Sequence, residues 1–141
     1  MKDLGDILRA IRLTRFADPR LRALISGYGE VWSAQILAAL LGASGSSYGF
    51  VDARKCLVVE ESAVRGGSPV VQFAATEELV GAELAAGGEG QQQQRDGVVV
   101  TGYVARTADG VATTLQRDGS DFSASIFGKP VGFFKGAPAT F

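Results

Sequence analysis

Histidine is absent from the 141 residues, and there is one cysteine, Cys56. The first absence removes Ser-His-Asp and Cys-His catalysis and every histidine-based metal site. The second excludes an internal disulfide and any cysteine cluster for zinc or iron–sulfur, and it is compatible with a reducing compartment. No metal site is expected, and no side chain is singled out as a catalytic residue. Charge of one sign is lacking too. Fourteen basic and fifteen acidic residues leave a net charge of −1, so no broad field points to nucleic acid or to an acidic membrane. No apolar run approaches the ~20 residues of a membrane span, and the longest, Ile36–Leu41, has six. With Asp3 and Asp6 and no small-residue cleavage site, the start makes a poor signal peptide. Its acids and lack of serine make it a weak transit peptide as well.

What is present fits a globular chain. Hydrophobic residues make up 46% and charged residues 21%, which permits a modest core in one domain or in part of a larger one. Leu4, Ile7, Leu8 and Ile11 follow helical spacing and predict an amphipathic helix over 3–16. Asp18-Pro19 is a cap with proline at the first helical position, opening a short second helix through Leu21, Leu24 and Ile25. Gly27-Tyr28-Gly29 reads as a break, followed by a helix over 30–41 that is apolar almost all round and therefore buried in a larger body.

Strands are expected at Tyr48–Val51 and Leu57–Glu60, with Asp52–Lys55 between them, and a further strand at Val70–Phe73 after a loop at Arg65–Pro69. Thr76–Ala86 reads as a helix with Thr76 as cap and Glu77 and Glu78 in its first turn. Gly87–Asp96, with its Gln91–Gln94 run, reads as a solvated insertion. Val98–Thr101 reads as a strand covered on both faces, and 102–114 as a hairpin turning at Asp109-Gly110. A last helix spans about 121–128 and ends at Gly128. Helices alternating with short apolar strands make the class α/β with a mainly parallel sheet.

Few constellations carry chemistry. Gly27-x-Gly29 followed by Trp32 is no dinucleotide fingerprint, and no P-loop occurs. The informative stretch is Thr113–Ala124, a loop entering a helix. A helix N-terminus presents unpaired N–H groups that attract anions. Arg117 stands just before it with a fork matched to a carboxylate. Gly119 permits close backbone approach, and Ser120 offers a cap and a hydroxyl. On composition alone, the same residues read first as a capped surface helix with a solvated arginine.

The wording of this stretch resembles the Arg-x-Gly-Ser-Asp segment of aspartate kinases, and Asp118-Gly119-Ser120-Asp121-Phe122-Ser123-Ala124 is close to the plant bifunctional aspartokinase–homoserine dehydrogenase type. Three further segments agree in order and spacing. Gly27-Tyr28-Gly29-Glu30-Val31-Trp32-Ser33-Ala34-Gln35-Ile36-Leu37 is similar to the family's Gly-His-Gly-Glu-Leu-Trp-Ser-Ala-Gln-Met-Leu, with Tyr28 at the usual histidine. Val51-Asp52-Ala53-Arg54 is similar to an Asp-x-Arg segment after a strand, and Val100-Thr101-Gly102-Tyr103-Val104-Ala105 to Thr-Gly-Phe-Ile. The resemblance runs from about residue 3 to residue 128.

It implies a three-layer αβα sandwich, the amino-acid kinase fold, here incomplete, with a partial kinase domain over 1–128 and an unmatched tail over 129–141. It implies transfer of the γ-phosphoryl group of MgATP to the side-chain carboxylate of L-aspartate, the first step toward lysine, threonine, methionine and isoleucine. In that frame Arg117 clamps the substrate α-carboxylate and Glu30 pairs with its ammonium. Ser120 and the Gly119 backbone hold a carboxylate, Asp121 orders the loop, and Tyr103 lies against the substrate in place of a phenylalanine. ATP and Mg are the implied cofactors, yet the family's Lys-Phe-Gly-Gly-Thr-Ser phosphate segment does not occur in the sequence.

The chain therefore reads as cut short at both ends, with little or no kinase activity of its own. L-aspartate, ATP and a homo-oligomer are the partners that follow, without nucleic acid or membrane. The plastid is the implied location, the cytoplasm otherwise. A non-catalytic amino-acid-binding or subunit-association remnant stays open as an alternative, as does another carboxylate kinase of the same fold, such as glutamate kinase.

Overall fold

The computed structural model describes residues 2–60, 69–86, 96–116 and 118–128. The expected Arg65–Pro69 loop (all but its last residue), the Gln91–Gln94 insertion, Arg117 and the tail over 129–141 lie outside these described residues.

Helix α1, Lys2–Thr14, half-buries Leu4, Ile7 and Ile11 but leaves Leu8 exposed. It stops where Arg15 takes a left-handed φ of 55° while its N–H still bonds to Ile11 O, a familiar way to satisfy a last-turn carbonyl. Helix α2, Pro19–Ala43, starts as its sequence indicates: Asp18 Oδ1 accepts from Leu21 N at 2.7 Å, and Pro19 occupies the first turn. The expected break at Gly27-Tyr28-Gly29 does not occur, and α2 runs through it. Each interior glycine disfavours helix by about 1 kcal/mol, but a Cβ at Gly27 would lie 2.8 Å from Val104 Cγ1. Glycine is what lets the helix lie down on the strand behind it, and that packing outweighs the intrinsic preference.

The reading of 30–41 as buried all round is also corrected. Gly27, Val31 and Ala34 form the buried face of α2, while Trp32, Ile36, Leu37 and Leu40 are 41%, 61%, 49% and 63% exposed. Among the described residues, α2 packs against Tyr48–Val51, Gly97–Val100 and Ala112–Thr114. By length and composition alone, α2 is one helix that could cross a membrane. Its alanines and glycines dilute the charges at Arg20, Arg22 and Glu30, although no uninterrupted apolar run reaches that length. A helix packed on a sheet has the same composition.

Strands β1, Tyr48–Val51, and β4, Gly97–Val100, pair in parallel from Tyr48 opposite Gly97 to Val51 opposite Val100. The ladder is pinned at its start, where Ser47 N donates to Asp96 Oδ2 at 2.6 Å. Between the two strands come α3, β2, β3 and α4. Asp52–Lys55, expected as a connection, is capped into the short helix α3, Ala53–Cys56, by Asp52 accepting from Arg54 N. The expected Leu57–Glu60 strand shortens to β2, Val59–Glu60, because Leu57 still bonds back to Ala53 as the helix cap. β2 pairs antiparallel with β3, Val70–Val71.

Helix α4 is Phe73–Ala86, with no acid in its first turn. Thr76 is therefore not its cap. It is buried inside the helix, and its hydroxyl accepts from Val58 N at 3.1 Å, tying α4 to the chain entering β2. Strands β5, Val104–Arg106, and β6, Ala112–Thr114, form the expected hairpin, turning at Gly110 with φ 87°. Helix α5 is Gly119–Gly128. Ala53, Leu57, Val59, Val71, Val104, Ala105, Leu115 and Ile126 make the main core. Cys56, Val51 and Val80 form a second cluster, bridged to the first by Val100 and Phe127. The class is α/β, with the parallel β1–β4 ladder as its longest pairing and antiparallel pairs beside it.

Candidate functional site

Ligands of open α/β sheets bind beyond the carboxyl ends of the parallel strands, and here those ends are Val51 and Val100. The chain leaves β1 through Asp52 and β4 through Thr101. Thr101 is fully buried. Its hydroxyl accepts from Ala53 N at 2.7 Å and its own N–H donates to Val51 O at 3.1 Å, so the two exits are tied together.

Immediately after Thr101, the N-terminus of α5 closes against the chain. A Cβ at Gly102 would meet Ser120 Oγ at 3.1 Å, and one at Gly119 would meet Tyr103 Cδ2 at 2.8 Å and Leu115 Cβ at 3.0 Å. Gly119 is needed for this approach, and Gly102 makes it close. Ser123, buried one turn into α5, accepts from Tyr103 N at 2.9 Å and donates to Gly119 O at 2.8 Å. Leu115 N donates to Tyr103 O at 2.7 Å.

Tyr103, Gln116 and Asp118 all take left-handed φ values, 66°, 63° and 56°, which is costly for residues with a Cβ. Such residues gather at sites that need a fixed backbone, and two of these three flank Arg117. Of the expected site residues, Gly119, Ser120 and Tyr103 are thus brought together around Gly102. Arg117 lies outside the described residues. Asp121 is exposed in the first turn of α5, where its charge suits the helix dipole.

Glu30 stands on α2. It is half-buried and lies one turn beyond Gly27, which rests on Val104, the residue after Tyr103. The β4–β5 junction therefore anchors both α2 and α5. Ser120 proves to be the second residue of α5 rather than its cap, since the helix begins at Gly119.

A third group adjoins these segments. Arg54 forks onto Asp52, with Nη2 to Oδ2 at 2.6 Å and Nε to both oxygens at 3.0 and 3.1 Å. Its guanidinium lies 5.4 Å from the centre of the Tyr28 ring. The hydrogen bonds to Asp52 hold the Arg54 pKa above its ordinary value. Tyr28 in turn lies 5.9 Å from Trp32, ring to ring. Sequence reasoning assigned no role to Arg54 or Ser123. An acid and an arginine two apart after a strand, and a serine four residues past a helix-opening glycine, are the signals that were there. Among the described residues no group of three or more acids, cysteines or histidines could hold a metal.

No family model matches the chain. Curated relatives do. Bifunctional aspartokinase/homoserine dehydrogenase 2, chloroplastic, of Zea mays is 34% identical over 131 residues, 93% of this chain and 13% of its own length. Bifunctional aspartokinase/homoserine dehydrogenase 1, chloroplastic, of Arabidopsis thaliana is 35% identical over 126 residues, 89% of this chain and 13% of its own.

The chain is an aspartokinase homologue.

A bacterial relative, bifunctional aspartokinase/homoserine dehydrogenase 2 of Escherichia coli (strain K12), is 34% identical over 110 residues, 78% of this chain. The homologue thus spans only about an eighth of the length of these relatives, 13%, 13% and 12%. Its fold is that of the solved aspartokinases. E. coli aspartokinase III, in complex with lysine and aspartate in the T-state, superposes with a TM-score of 0.68 over 93% of this chain and 29% of its own, at 23% identity. The R-state complex with aspartate and ADP gives the same score and coverage. The expected amino-acid kinase fold is therefore observed.

Proposed function

We propose that this chain forms the aspartate-binding part of an aspartate kinase, over residues 1–128, with 129–141 as a tail outside that domain. In this reading, the ammonium group of L-aspartate pairs with Glu30 and its α-carboxylate with Arg117. The Gly119 backbone and the Ser120 hydroxyl receive a carboxylate at the tip of α5, Tyr103 packs against the substrate, and Asp121 steadies the loop. The observation that carries the reading is the seating of Gly119 and Ser120 on Tyr103 and Gly102 beyond the ends of the parallel strands, in a chain whose relatives are named aspartokinases.

The reaction of the whole enzyme would be transfer of the γ-phosphoryl group of ATP to the side-chain carboxylate. It is a chemistry of positioning and charge neutralisation rather than of a reactive side chain, in keeping with a chain that has no histidine. A solved neighbour was crystallised with aspartate and ADP, which supports nucleotide as co-substrate. Among the described residues no group of three or more acids, cysteines or histidines gathers as a metal site; magnesium in such a reaction is held through one or two carboxylates and the substrate phosphates. The plant relatives are chloroplastic by name, and we place this chain in the plastid on that ground.

Calorimetry tests the reading. L-aspartate should bind and L-glutamate should not, since the Trp32-Ser33-Ala34-Gln35 stretch resembles the aspartate branch of the fold. A coupled ATP-consumption assay should show turnover far below ~1 s⁻¹, the low end for enzymes, because no Lys-Phe-Gly-Gly-Thr-Ser segment occurs in the sequence. Binding of neither amino acid would overturn the assignment. The second reading is a non-catalytic amino-acid-binding or subunit-association unit. It is distinguished by failing to bind MgATP even when completed by a full-length partner.

A further inference from the structure

Two glycines flank Tyr28 in the middle of α2, and they differ in kind. Gly27 is held by its contact with Val104, whereas Gly29 has nothing within 4 Å of where a Cβ would stand. This turn is therefore the weakest part of the helix by intrinsic preference, and it is the turn that carries Glu30. It is also where Arg54 lies on the ring of Tyr28, 5.4 Å from its centre, with its guanidinium immobilised by three contacts to Asp52. Asp52 is itself fixed as the cap of α3 at the exit of β1. The ring under the guanidinium belongs to one helix, and the carboxylate holding the guanidinium belongs to the end of a strand. A planar fork pinned on one side and set over a ring on the other makes a rigid tie.

We propose that Arg54 is a positioning residue: through Tyr28 it clamps the Gly27–Gly29 turn of α2 to the end of β1, and so sets where Glu30 stands relative to Gly119 and Ser120. This rests on the reading of Glu30 as partner of the aspartate ammonium group. Lysine at position 54 keeps the charge but neither the fork nor the flat stacking face, so it supplies only part of the tie.

Succinate, which is aspartate without the ammonium group, separates the two ideas. The wild-type chain should bind L-aspartate roughly tenfold more tightly than succinate, a difference of 1.4 kcal/mol. Glu30→Gln should erase that preference. Arg54→Met should lose most of it while leaving succinate affinity unchanged, and Arg54→Lys should fall between. Hydrogen exchange gives a readout that needs no ligand. The amides of Val31 to Ala34, whose helical partners are the carbonyls of Gly27 to Glu30, should exchange faster in Arg54→Met but not in Glu30→Gln.

An aspartate preference retained in Arg54→Met, or unchanged exchange at those amides, overturns the proposal and leaves the Glu30 reading standing. A wild-type chain indifferent to the ammonium group, or a preference that survives Glu30→Gln, overturns the Glu30 reading and this proposal with it. Should Arg54→Met fail to fold, Tyr28→Leu, which leaves the Asp52 fork in place, carries the same expectations. Loss of succinate binding in both variants marks a general structural role and also overturns the proposal.

Discussion

Gly119 lies against the Cδ2 edge of Tyr103: a Cβ on the glycine would come within 2.8 Å of that atom. The ring cannot retreat freely. Its backbone is held at φ 66° by Ser123 accepting from Tyr103 N and by Leu115 donating to Tyr103 O. Gly119→Ala should therefore force α5 outward, costing about 1–3 kcal/mol as other overpacking changes do, and should weaken aspartate binding in parallel. Urea unfolding together with calorimetry checks both. An alanine variant as stable as wild type would mean that the close approach is not held in solution.

Two glycines of α2 should respond to alanine with opposite signs. Gly27→Ala drives a methyl group to within 2.8 Å of Val104 Cγ1, a side chain that is 1% exposed and has no room to move. Destabilisation by about 1–3 kcal/mol is expected. Gly29→Ala meets open space on the same helix and should stabilise by roughly 0.5–1 kcal/mol through helix preference alone. Denaturant midpoints of the two single variants are the measurement, and equal signs would contradict the packing of α2 on β5.

The same glycine pair marks how far the sequence could be read. Asp18-Pro19, the Asp109-Gly110 turn and the spacing of Leu4, Ile7 and Ile11 are legible because each signal acts within a turn or two of chain. Gly27-Tyr28-Gly29 is misread as a break for the converse reason. What keeps α2 helical there is Val104, 77 positions away, a number that local preference does not contain. Thr76 resembles a cap because threonine often is one, and only its bond to Val58 N shows that it serves an interior junction. Gly119, Ser120 and Tyr103 meet around Gly102, whereas Ser123 and Arg54 went unassigned because one partner of each, Tyr103 and Tyr28, lies far along the chain.

Ser123 tests how that junction is held. Its hydroxyl is buried and makes two bonds, one from Tyr103 N and one to Gly119 O. Alanine would leave the Tyr103 amide without its acceptor in a half-buried place, at a cost of about 1–3 kcal/mol. Ser125→Ala, two residues on, removes an exposed hydroxyl that bonds to Asp121 O and should change stability by no more than about 0.5 kcal/mol. Thermal melts of the two variants side by side measure the contrast. If both melt like wild type, Ser123 does not hold the turn at Tyr103.

Cys56 supplies the pH dependence. Its residue is fully buried, and desolvation, followed by the charges of Glu83 and Asp52, pushes the thiol from 9.0 up to about 12. A raised folded pKa means that the folded chain keeps the proton while the unfolded chain gives it up. The contribution is thus whole below pH 9 and drains away between pH 9 and about 12, at up to about 1.4 kcal/mol for each pH unit. Lysine and tyrosine side chains also titrate in that range, so the slope is read as a difference: Cys56→Ala should lose stability less steeply than wild type above pH 9. Thiol-reactive dyes give the second measurement. At pH 8 the folded protein should remain unlabelled, because the thiolate is the reactive form and burial suppresses it, and labelling should appear only as urea unfolds the chain. Rapid labelling of the folded protein would place Cys56 outside the cluster of Val51 and Val80.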